Sequence, residues 1–147
     1  MTAAGNATGG RTAPVGASRL SITTGALLGA LGVIAGAFAA HALRGRLPPE
    51  ALALVDTGSR YQLIHALALV AVGVLHMIRP SFAARLSAAS FAAGVLLFCG
   101  SLYALAFGAP RALGMITPIG GVLLITGWLT LAISAWHRVT RSPDGAH

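Results

Sequence analysis

LSITTGALLGALGVIAGAFAAHAL, residues 20 to 43, is a run of 24 residues with no charge unless His41 is protonated. As a helix rising 1.5 Å per residue it is about 36 Å long, enough to cross a hydrocarbon core of about 30 Å with some tilt. This run reads as a transmembrane helix and decides the class of fold. The rival is a secretory signal, because Ala37-Phe38-Ala39 has the small-x-small form of a cleavage site. A signal's apolar region covers about 7–15 residues, and this one is longer. Composition agrees with a membrane span: the 147 residues are 56% hydrophobic and 9% charged, with mean hydropathy +0.80. Soluble domains carry about 25% charge, so a soluble globular domain is excluded. The length fits one domain and leaves no room for a separate soluble enzyme module beside several spans.

Working outward, Tyr61 to Ile78 is an apolar run of 18 residues stopped by Arg79-Pro80, and gives a second span. Ser87 to Phe107 holds 21 uncharged residues before Gly108-Ala109-Pro110 and gives a third. A fourth is expected over the 19 residues from Pro118 to Trp136, with Thr117 as its N-cap and proline pre-set for the first turn. Between the first two spans, Pro48-Pro49 opens a short amphipathic helix over Glu50 to Arg60, expected to lie at the interface. Leu52 and Val55 fall on one side of it, Asp56 and Arg60 on another. Residues 1–19, rich in Gly, Ala, Thr and Ser, are expected to form a disordered tail, and residues 138–147 are a C-terminal tail. The acid-free first tail also fits a mitochondrial transit peptide by composition, but no Arg-studded amphipathic helix is visible in it. The expected fold is therefore all-α: an integral membrane four-helix bundle over residues 20–137, with spans near 20–43, 61–78, 87–107 and 118–136 and an interfacial helix between the first two.

The formal charge of +7 comes from ten arginines spread singly or in pairs between apolar runs. Nucleic-acid binders gather their basic residues in a patch or stripe, so no nucleic-acid partner is expected and the arginines read as flanks that meet lipid headgroups. Four spans place both termini on one side. That side carries Arg11, Arg19, Arg79, Arg85, Arg138 and Arg141, against Arg44, Arg46, Arg60 and Arg111 on the other. Six against four favours cytoplasmic termini by the positive-inside rule. The single Cys99 excludes an internal disulfide and a Cys-rich zinc site.

Lipid tails are as apolar as leucine, so membrane helices associate through close backbone approach and polar contacts. The first span supplies a smooth strip, Gly25-x3-Gly29 followed by Gly32-x3-Gly36-x3-Ala40, able to receive a neighbouring helix or a second protomer. Polar side chains inside a membrane are costly and mark candidate sites. Alternating span directions place His41, Tyr61, Gln62, His65, Ser101, Tyr103 and Thr117 near one membrane face, as a single polar layer. Tyr61 and His65, four apart, share a helical face, and His41 and His65 are expected at similar depth. Such a layer either fixes helix register by hydrogen bonds or holds a ligand, ion or proton path. His76 and His137 fall near the opposite surface, Cys99 reads as a packing residue, Arg111 as an interface anchor, and Glu50 and Asp56 as caps or partners of Arg60. No nucleophile–base–acid triad, phosphate loop or metalloprotease motif is present.

The segments Gly36-Ala37-Phe38-Ala39-Ala40-His41-Ala42-Leu43, Tyr61-Gln62-Leu63-Ile64-His65-Ala66-Leu67-Ala68-Leu69, Phe98-Cys99-Gly100-Ser101-Leu102-Tyr103 and Leu113-Gly114-Met115-Ile116-Thr117-Pro118-Ile119-Gly120-Gly121, with Gly127-Trp128, follow one another in order. Together they resemble the YgdD-like family of small inner-membrane proteins, a domain-of-unknown-function group related to eukaryotic transmembrane protein 256. The resemblance covers about residues 22 to 136 and departs at Ala39, where the family usually has glycine. It implies a multi-pass inner-membrane protein without an established activity, and it picks out the polar layer above together with Pro118.

The reading that follows is a non-enzymatic bundle without a cofactor, whose partners are the lipid bilayer and either a second copy or another membrane protein. Two alternatives stand beside it. One is a small-molecule or proton conduit through the polar layer, which lacks an intramembrane carboxylate and an internal repeat. The other is a carrier in which His41 and His65 ligate haem or a metal.

Overall fold

A computed structural model describes residues 12–139, and the expectations for residues 1–11 and 140–147 lie outside it. Four long helices follow one another: α1 (Thr12–Ala40), α2 (Pro49–Ile78), α3 (Phe82–Ala106) and α4 (Ile116–Val139), the last entered through a 3-10 turn at Arg111–Met115. Each holds a segment long and apolar enough to cross a membrane. They form an all-α four-helix bundle.

Local chemistry sets the helix ends. Pro48 is extended and Pro49 opens α2 at a position where a missing N–H costs nothing. Ser81 caps α3, its hydroxyl accepting from the backbone N–H of Ala84 at 3.1 Å. Gly108, at φ 90°, turns the chain after α3 in a conformation that side chains disfavour.

Several boundaries differ from the sequence expectation: α3 starts at Phe82 instead of Ser87, α4 runs to Val139 instead of Trp136, and three further differences bear on the packing. First, α1 starts at Thr12, so residues 12–19 are its opening turns instead of part of a tail. Ser18 in those turns is fully buried, and its carbonyl lies where a Cβ on Gly73 of α2 would meet it at 3.2 Å. The packing residues there are small, which is why no apolar period announces them. Second, the separate interfacial helix is corrected: residues 50–60 run without a break into α2. Propagating a formed helix gains a hydrogen bond per residue, whereas ending one exposes backbone groups, and no proline interrupts the chain after Pro49. Thirty residues make α2 about 45 Å long, more than the hydrocarbon thickness. The charged Glu50, Asp56 and Arg60 all lie in its first half, with Arg60 bonded to Asp56 at 2.8 Å. Third, Thr117 is the second residue of α4 instead of its N-cap.

Contacts run mainly in chain order, α1 on α2, α2 on α3 and α3 on α4, while α1 barely touches α3. The apolar core lies between α2, α3 and α4 and is built on Leu69, Val72, Phe91, Val95, Cys99 and Leu124. A smaller cluster of Ala39, Val55 and Ala106 closes the end near the α1–α2 loop. From Gly16 onward the buried positions of α1 are Ser18, Gly25, Gly32 and Ala39, spaced by seven and all small. A side chain on Gly25 would meet the Ala66 carbonyl and Val70 at 2.8 Å. The two backbones can approach only because glycine stands there.

A central polar network

Gly32 opens the way to the first tie. A Cβ there would stand 3.0 Å from Leu63 and 3.5 Å from Gln62. In its absence the Gln62 amide Nε2 reaches across and donates to the Leu28 carbonyl of α1 at 2.8 Å. Gln62 Oε1 accepts from the Tyr103 hydroxyl of α3 at 2.9 Å. One buried amide thus joins three helices, and the Tyr103 ring rests on the space left by Gly58.

One turn further along α2, His65 is 5% exposed. The Trp128 indole of α4 donates to His65 Nε2 at 3.1 Å, and His65 Nδ1 lies 2.7 Å from the Tyr61 carbonyl. An indole N–H can only donate, so Nε2 accepts and the proton sits on Nδ1, which donates to the carbonyl. Both ring nitrogens are engaged. Phe91 packs tilted on His65 at 5.6 Å and edge-on to Trp128 at 5.2 Å, while Tyr61 stacks against His65 and leans on Phe98. A third tie joins α3 to α4, with the Ser101 and Thr117 hydroxyls 2.7 Å apart. Ser87 adds a bond to the Gly127 carbonyl at 2.8 Å. Among the described residues no buried side-chain nitrogen or oxygen lacks a partner.

The structure therefore brings Tyr61, Gln62, His65, Ser101, Tyr103 and Thr117 into neighbouring levels of the bundle, and leaves His41 out. His41 is exposed just beyond the end of α1. Leu28, which Gln62 touches, lies 13 residues earlier in the chain, about 20 Å along the helix. The expected pairing of His41 with His65 at one depth is corrected. Because α2 begins at Pro49, His65 lies 16 residues inside its helix instead of near the start. Joint ligation of haem or a metal by these two histidines is thereby corrected as well. Among the described residues no group of three His, Cys, Asp or Glu side chains gathers as a metal site.

Phe91 was not foreseen, and Phe98 and Trp128, though within the segments that carry the family resemblance, were not placed in the polar layer. The available signal was an indole in mid-span: a tryptophan away from the interface needs an acceptor for its N–H. A second polar group, also missed, closes the opposite end. There the Ser81 N–H donates to His76 Nδ1 at 3.3 Å, and the Ser81 and Ser134 hydroxyls meet at 3.2 Å.

The four packed spans and their internal polar ties define a multi-pass membrane protein. Residues 35–121 match the model of a family described as protein of unknown function (DUF423). The chain is 48% identical over 115 residues to a UPF0382 membrane protein of Haemophilus influenzae, covering 78% of this chain and 92% of that one. It is 37% identical to the UPF0382 membrane protein YwdK of Bacillus subtilis, covering 80% and 96%. To the UPF0382 inner membrane protein YgdD of Escherichia coli it is 35% identical, covering 80% and 90%. The chain belongs to this family, and its place is the inner membrane. No solved structure matches it.

Proposed function

We propose that this chain is a non-enzymatic membrane component: a closed helical bundle that associates in the bilayer with a second copy or with other membrane proteins. The observation that carries the reading is the pairing of the central polar groups with one another. Both nitrogens of His65 and both polar atoms of Gln62 are taken by protein partners, so the network serves to fix the register of four helices. Interhelical hydrogen bonds of this kind contribute about 0.6 kcal/mol each. The same pairing argues against the conduit, since a proton or solute path needs groups free to exchange partners.

The glycine strip of α1 is covered by α2 of the same chain at Gly25 and Gly32. Association therefore falls to the outward faces, of which α1 and α4 bury the smallest share within the bundle. The test is the mass of the full chain in mild detergent and in lipid nanodiscs. A self-associated species, or a stoichiometric membrane partner that survives purification, is expected. A strict monomer without partner overturns the reading, as does proton or solute flux in liposomes that His65→Phe and Gln62→Leu abolish.

A further inference from the structure

The end of the bundle holding the start of α1, the end of α2 and the start of α3 has a cleft between α1 and α3, which touch each other little. A cavity of about 330 Å³ lies there, floored by α2. That size falls within the range of ligand pockets, about 300–1,000 Å³. Leu69 and Val72 of α2 and Ala88 and Ala92 of α3 make its inner part apolar, and Leu20 and Thr24 of α1 form the facing wall. Arg85 lines its outer end. Arg85 and Ala92 are seven residues apart on α3, so the polarity changes from cationic to hydrocarbon over about 10 Å along the cleft.

Among the described residues no carboxylate stands at this end. Arg19, Arg79 and Arg85 lie here, while the two carboxylates among the described residues, Glu50 and Asp56, lie in the first turns of α2. Asp56 stands 22 residues (78 − 56) from the end of α2 at this side, about 33 Å away. Arg85 also sits in the first turn of α3, where the helix end adds partial positive charge. The molecule therefore presents a largely apolar cleft, with Ser21, Thr24 and His76 among its lining and Arg85 at its mouth.

We propose that this cleft is a binding site for one anionic diacyl phospholipid, with an acyl chain between α1 and α3 and the phosphate on Arg85. The alanines of α3 leave the slot its width, and an anionic headgroup, unlike a zwitterionic one, brings a net negative charge to Arg85 at its mouth. The site rests on the fold and on charge placement alone, independently of whether the protein self-associates.

Native mass spectrometry of the full chain, delipidated in mild detergent and then offered phosphatidylglycerol or phosphatidylcholine of equal chain length, tests it. One phosphatidylglycerol is expected to be retained in preference to phosphatidylcholine. Arg85 and Ala89 are exposed, so their replacement leaves the core intact. Arg85→Gln should weaken retention about fivefold, the effect of one basic residue at an anionic surface, and Ala89→Phe should block the slot from its open side. Arg111→Gln, at the other end, should change nothing. Equal retention of the two lipids overturns the proposal, as does indifference to both Arg85→Gln and Ala89→Phe. Full competition by glycerol phosphate, which has no acyl chain, overturns it too.

Discussion

Gln62 and His65 sit one turn apart on α2 and tie it to every other helix, so their hydrogen bonds are the residue-scale events on which the interior depends. A double-mutant cycle of Gln62→Leu with Tyr103→Phe should give a coupling of about 0.6 kcal/mol, and no more than about 1.7, in unfolding titrations in detergent. Trp128→Phe should lower stability by a similar amount, because it leaves the inward-facing His65 Nε2 without its donor. The glycines separate into two kinds. A Cβ on Gly120 would collide with the backbone of Phe98, whereas one on Gly29 would make an ordinary contact with Ala66 at 3.8 Å. Gly120→Ala is accordingly expected to destabilise by about 1–3 kcal/mol, and Gly29→Ala to be neutral within about 0.5 kcal/mol, both read from thermal unfolding. These residues were visible in the sequence as polar or small. Their partners were not, because hydrogen bonds between residues 34 to 63 positions apart depend on helix rotation.

Helix number and order were legible from charge-free runs bounded by arginine, proline and glycine, and the structure repeats them as four elements. Helix ends were less legible. Residues 50–60 carry a charge pattern that suits an interface equally well as a separate helix or as the opening of a longer one; the unbroken chain after Pro49 and the packing of Val55 with Ala39 and Ala106 favour the latter. Ser81 escaped notice because the third span was read from Ser87, where charge stops, instead of from the cap before Phe82. Ser81→Ala removes the cap of α3 and its tie to Ser134. The expected cost is about 1–2 kcal/mol, seen as a lower midpoint in thermal unfolding. By contrast Arg60→Ala should move that midpoint little, since the Asp56–Arg60 pair is solvent-exposed or at the headgroups and such pairs contribute at most about 1 kcal/mol.

At the scale of the whole molecule the outer faces of the helices meet lipid, and the arginine distribution sets orientation. Cysteines introduced at Arg79, which caps the end of α2, and at Arg111, which opens the 3-10 turn before α4, lie at opposite ends, while the native Cys99 is buried and gives little background. An impermeant thiol reagent applied from the cytoplasmic side should label Arg79→Cys and spare Arg111→Cys in inverted vesicles. The reverse pattern would place the termini outside. The open cleft between α1 and α3 also belongs to this scale, since it arises from how three helices splay and from no single residue.

Hydrophobic length, charge spacing and small-residue pattern are properties of the chain itself, and they settle that it crosses the membrane four times and which side chains are costly to bury. Which of those side chains meet is a different matter. His41 and His65 looked alike in sequence, yet one ends exposed beyond α1 and the other bonded to Trp128. Relative depth and rotation depend on where each helix begins and on how closely the backbones approach. Both are decided by packing between distant segments, so only the tertiary structure could assign the partners.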